Sequence, residues 1–151
     1  MALYEPFDDE VLGRVTWDAE HREWNFTLTL PSGRSVSGNI APKDPRIPLL
    51  DQGLEEMRRC VRWVCDNEPA IRQYITEQMY EGWLSGWYDE EIDEVTPPER
   101  FREAISLAGL TIMENRQALL CYNDANLFGG HAIVLSVGAD GKFDYPPDIL
   151  G

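Results

Sequence analysis

Cysteine and histidine are scarce in this chain of 151 residues: three cysteines, Cys60, Cys65 and Cys121, and two histidines, His21 and His131. The cysteine count is odd and no pair forms Cys-x-x-Cys. A disulfide framework is therefore not indicated, and reduced thiols in a cytoplasmic protein are expected. A structural zinc site needs three or four Cys, His or acidic ligands with short-range pairs. Cys60 and Cys65 lie five apart in a helical stretch and do not share a face, and Cys121 sits in a strand-like run. All three read as small core residues, and neither metal nor cofactor is expected. The start, Met1-Ala2-Leu3-Tyr4-Glu5-Pro6, lacks a basic segment followed by an apolar one, so no signal peptide is expected. No apolar run approaches the ~18 residues of a membrane span. Basic residues are the minority, 13 Lys+Arg against 27 Asp+Glu, for a net charge of −14. A field of that sign repels nucleic-acid phosphates and anionic lipid and favours basic partners; it also aids solubility.

Apolar residues make up 43% of the chain, with five Trp, six Tyr and five Phe. That is enough for a core, and the length suits a single domain over 1–151. The opening acids Glu5, Asp8, Asp9 and Glu10 are expected to face water. Val11–Asp18 alternates imperfectly. Glu23–Leu30 alternates cleanly, with Trp24, Phe26, Leu28 and Leu30 on one face, which marks a half-buried strand. Pro31-Ser32-Gly33 is a turn, and Ser35–Ile40 completes a three-strand meander.

Pro42, Pro45 and Pro48 make the next stretch a connection. The period then becomes helical: Leu50, Leu54, Met57, Val61 and Val64 share one face. Asn67-Glu68-Pro69 reads as a break, with a second helix carrying Ile71, Ile75 and Trp83 to about Gly86. Thr96-Pro97-Pro98-Glu99 resembles a capping box with Thr96 as N-cap, opening a third helix to about Leu107, and Gly109 is a stop signal. Strands follow at Leu110–Glu114, Ala118–Tyr122, His131–Val137 and Lys142–Tyr145. The expectation is an α+β fold: antiparallel sheet from an N-terminal three-strand meander and three to four C-terminal strands, packed with about three helices.

Two stretches attract chemistry. Trp87–Val95 is an acidic loop beside aromatics. Trp87, Tyr88, Asp89, Glu90, Glu91, Asp93 and Glu94 form a candidate surface for a basic protein, since aromatics ringed by acids suit such an interface. The run lacks the Gly and ligand periodicity of a calcium loop, and Trp83 fits the helix's core stripe. The second stretch is the Asp/Asn/Gly loop from Asn123 to His131, with Asp124, Asn126, Phe128 and His131 as an alternative site. His131 as a general base needs a carboxylate to orient it, and Asp124 or Asp140 is near in sequence; no nucleophile motif accompanies it, and the alternative is that His131 simply fixes the strand end. Gly129-Gly130 lacks the Lys and the following helix of a phosphate loop. His21, between Glu20 and Glu23, reads as a surface turn residue.

Phe128-Gly129-Gly130-His131-Ala132-Ile133-Val134, Asp140-Gly141 and the final Gly151 resemble the closing signature of an uncharacterised bacterial family. Its opening strand is matched by Leu12-Gly13-Arg14-Val15-Thr16-Trp17-Asp18, and its Thr-Pro-x-x-Phe helix start by Thr96-Pro97-Pro98-Glu99-Arg100-Phe101. The resemblance implies no reaction. Small acidic bacterial proteins of this kind are similar to immunity proteins that neutralise toxins. The expected function is therefore a non-enzymatic, antitoxin-like protein that occludes a basic toxin, with neither nucleic acid nor membrane as partner. The alternative is a small enzyme or ligand-binding domain using the Asn123–His131 loop.

Overall fold

In the computed structural model, residues 3–44, 46–91, 95–138, 141–143 and 145–150 are described, except for the Leu50 side chain. Asp93, Glu94 and Asp140 lie outside them, as does the place of Leu50 on a helix face.

Among the described residues, eight strands form one sheet whose spatial order is the chain order. They are β1 (Phe7–Asp9), β2 (Gly13–Asp18), β3 (Glu23–Thr29), β4 (Ser35–Ile40), β5 (Ser106–Ile112), β6 (Ala118–Asn123), β7 (Ala132–Val137) and β8 (Asp148–Leu150). Every neighbouring pair is antiparallel except β4 and β5, which run parallel. A parallel pair needs a crossover, here supplied by α1 (Leu54–Gly86) and the short α2 (Pro98–Ala104). The two expected strand groups are thus halves of one sheet, joined edge to edge through Ser37–Ile40 and Gly109–Ile112.

The alternation in β3 works as the sequence predicts. Trp24, Phe26, Leu28 and Leu30 are all buried. Phe26 lies directly over Gly38 of β4, where an added Cβ would meet the ring at 2.3 Å. Helix α1 lays Met57, Val61, Val64, Ile71 and Ile75 on this same core.

The helix count differs from the expectation. Pro69 lies inside α1, which runs unbroken for 33 residues. The apolar stripe continues in phase across Pro69, so burial on both sides holds the helix together, while the ring sits on the exposed face. Asn67 donates its side-chain amide to the Trp63 carbonyl at 2.8 Å near the weakened turn. Leu49–Asp51 is a separate 3-10 turn, and Gly53 opens α1 in the left-handed region at φ 81°.

Other boundaries shift too. The N-cap of α2 is Pro97, with no side-chain cap, and the helix stops at Ala104. Thr96 is therefore not the cap. Gly109 lies inside β5, beside a register shift between Leu107 and Gly109, so it is no helix stop. The last strand pairs at Asp148–Leu150; of the expected Lys142–Tyr145 strand, Phe143 makes a single bridge to Val137.

The N-terminal acids divide. Asp9 ends β1 and is 8% exposed, against the expectation that it faces water. It accepts from Arg58 Nε at 2.8 Å and from the N–H groups of Val11 and Leu12 at 3.0 Å each. Burial pushes its carboxyl up, but Arg58 and the two N–H groups outweigh burial and hold it below the ordinary 3.8. Among the described residues, no helix is long and apolar enough to cross a membrane.

Candidate functional site

The loop between β6 and β7 is organised by Asp124, which is 4% exposed. Its Oδ1 accepts from the Asn126 N–H, and its Oδ2 from the N–H groups of Phe128 and Gly130, each at 3.0 Å. Asn123 Oδ1 accepts from the Ala125 N–H at 2.8 Å. Ala125, Asn126, Gly129 and Gly130 have φ between 50° and 86°, so the chain coils tightly about the carboxylate. Both carboxylate oxygens are engaged by backbone, so Asp124 shapes the loop.

The coil buries Phe128, 2% exposed, against Phe101 of α2 at a ring separation of 6.2 Å. It also presents the Leu127 carbonyl to the indole N–H of Trp83, 2.9 Å away. Trp83 is 2% exposed and stands edge-on to Tyr88 at 5.4 Å. The core reading of Trp83 holds. Tyr88, one of the candidate interface residues, is half-buried against it.

Trp87 links the two stretches that the sequence left separate. Its ring stands edge-on to Phe128 at 5.4 Å and to His131 at 6.1 Å, yet it is 44% exposed. Leu84, one turn back on α1, is also 44% exposed. Asp89, Glu90 and Glu91 continue from Tyr88 and are exposed. Asn126 is exposed on the same loop, and His131 is half-buried at its end. One corner of the molecule therefore brings the described residues of the candidate interface together with the alternative loop site. Beside His131 opens a shallow cleft of about 190 Å³, bordered by Ala108, Cys121, Asn123 and Gly130.

This corner lies within a stretch that comparison with known families identifies. A family model described as "Uncharacterized protein conserved in bacteria (DUF2262)" matches residues 9–145. The chain belongs to the DUF2262 family. That agrees with the resemblance carried by the opening strand, the Thr96-Pro97 helix start and the Phe128–Val134 run. Neither the curated proteins nor the solved structures gave a match. Membership of DUF2262 brings no reaction, so chemistry has to come from the side chains.

Among the described residues, one group has ligand atoms close enough to share a metal: Asp18, His21 and Glu23, within 4.8 Å of one another. These atoms already have partners. Asp18 Oδ2 is 2.8 Å from His21 Nδ1, and Glu23 Oε1 accepts from Asn39 at 3.0 Å. The His21 hydrogen bonds draw the Asp18 carboxyl down to about 2, and Asp18 raises His21 above its ordinary 6.5. The turn thus satisfies its own polar side chains. Among the thiols, Cys60 is buried, and burial pushes it up to about 11; Cys65 is raised for the same reason, with Asp66 adding to it.

Sequence reasoning missed a buried polar group on the helix stripe. Glu68 is 7% exposed and pairs with Arg72 at 2.9 Å, while the Tyr122 hydroxyl donates to its Oε1 at 3.3 Å. Burial, then the Glu68 charge, raise the Tyr122 hydroxyl above 10. Glu68 occupies an apolar-stripe position between Val64 and Ile71, and that misfit was visible in the sequence. Leu84 was visible as well, as an apolar residue one step out of phase with Trp83.

Proposed function

We propose that the chain is an immunity-type binding protein. It captures a basic protein partner, a toxin domain, at the corner formed by the end of α1, residues 87–91 and the 124–131 loop. The observation that carries this reading is Trp87: 44% exposed, braced by Phe128 and His131, and followed by exposed Asp89, Glu90 and Glu91. An indole held in place from two sides loses little side-chain entropy on binding. Adjacent carboxylates steer a cationic partner and select against anionic ones. Trp87 also offers a face to arginine or lysine. Reduced cysteines suit action in the cytoplasm. Residues 93 and 94 extend the same acidic run in sequence.

The test starts with a pull-down from source-cell lysate at low and moderate salt, with calorimetry on any stoichiometric partner. Trp87→Ala should weaken binding by about 2 kcal/mol, roughly thirty-fold. Reversing Glu90 and Glu91 to Lys should slow association and flatten its salt dependence. Unchanged affinity in both variants would remove this corner as the interface. A second reading, a small ligand in the cleft beside His131, is favoured by the cleft itself. It predicts a ligand-induced rise in melting temperature that His131→Ala abolishes.

A further inference from the structure

The sheet has one covered face and one open face. Trp24, Phe26, Val36, Leu110, Leu120 and Leu135 pack inward with α1 in a single core. Their neighbours along each strand point the other way, and among the described residues no helix lies over them. One row of directly paired outward positions runs Thr27, Ser37, Gly109, Cys121 and Val134. The next runs Asn39, Thr111, Leu119 and Ser136. No outward position on β4–β7 carries a charge. Charges stand at the margins, at Arg14 and Asp18 on β2, at Glu23 where β3 begins and at Asp148 where β8 begins.

The β6–β8 end of this face is mostly apolar. Leu119, Val134, Tyr145, Pro146 and Pro147, together with Ser136 and the exposed Asp148, border a groove of about 570 Å³. Tyr145 is 72% exposed and Leu150 is 61% exposed.

A neutral, partly apolar face is unusual on a chain of net charge −14. Two copies repel each other through surfaces that concentrate acids, and this repulsion is least where both present an uncharged face. We propose that the open face is a self-association surface, on which two copies of the chain pack sheet against sheet in a two-fold dimer. The outward rows are self-complementary under a two-fold axis: small Thr, Ser and Gly positions allow close approach, and the apolar end supplies the water-excluding contact. Strands about 4.8 Å apart and about 20 Å long give a face of about 600 Å² over β2–β8. A pair buries about 1,200 Å², at the lower edge of specific interfaces, so the dimer forms with rising concentration. The charged margins become its rim.

This surface adjoins the acidic corner at Cys121 but differs from it in charge, and salt separates the two. Screening weakens capture of a basic partner and strengthens pairing of like-charged copies. The experiment is light scattering on the eluting full chain across a concentration series at low and moderate salt. The expected mass rises from 17.3 kDa toward twice that value, further at moderate salt. Ser37→Glu and Val134→Glu should hold the chain at the monomer mass, while Glu90→Lys should leave the dimer intact. Ser37 is exposed, so Ser37→Glu decides the matter even if Val134→Glu misfolds. A wild-type chain that stays at 17.3 kDa throughout, or a folded Ser37→Glu chain that pairs like wild type, overturns the proposal.

Discussion

Asp124 and His131 close the same loop, yet their side chains do different work. Asp124 accepts three backbone N–H groups from a buried position. His131 rests half-buried against an exposed indole. Asp124→Ala leaves three donors to find new partners and should lower unfolding free energy by about 3 kcal/mol. His131→Ala should cost less than about 1 kcal/mol. Urea denaturation of the two variants checks this, and an equal loss in both would make His131 a structural anchor. The turn character of this loop was legible, because Asp, Asn and Gly tolerate positive φ. The partner of Asp124 was not. From sequence it was a candidate orienter of His131, and only the coiled backbone shows its oxygens taken. The contact between Trp87 and His131 was equally hidden, since it depends on how the crossover returns the chain to the sheet.

At the scale of elements, α1 tests how far local signals reach. Proline inside a helix removes one backbone donor and crowds the preceding turn. Here Val61 and Val64 on one side, and Ile71 and Ile75 on the other, are fully buried on the same stripe. Burying four such side chains contributes several kcal/mol, more than the roughly 3 kcal/mol cost of the proline. Tertiary packing therefore overrides the break that Asn67-Glu68-Pro69 announces. Pro69→Ala should restore the missing hydrogen bond and stabilise the fold by about 1 to 2 kcal/mol, after allowing for the freer unfolded chain. Thermal unfolding reads it as a higher melting temperature; a drop would mean that the helix needs its bend to follow the sheet. The strands were more legible than the helices. Alternation in β3 and the apolar runs of β6 and β7 report burial directly. The parallel join of β4 to β5 left no local mark, because it is set by edge pairing between distant segments.

For the whole molecule, the unequal placement of charge has a cost within a single copy as well as between copies. At −14 the folded chain holds its carboxylates closer together than the unfolded chain does, and their repulsion opposes folding. Some are offset: Asp9 by Arg58 and Glu68 by Arg72. Asp89, Glu90 and Glu91 crowd one exposed turn. Salt screens exposed repulsion far more than it weakens the half-buried Arg58 and Arg72 pairs. Moving from low to moderate sodium chloride should therefore raise the melting temperature by a few degrees, since about 1 kcal/mol corresponds to roughly 2–4 °C at this size. Reversing Glu90 and Glu91 to Lys relieves the same strain by another route. It should raise the melting temperature at low salt and shrink the further gain from added salt. If salt instead lowers the melting temperature of the wild-type chain, its ion pairs outweigh its repulsion, and the acidic corner is no burden on the fold.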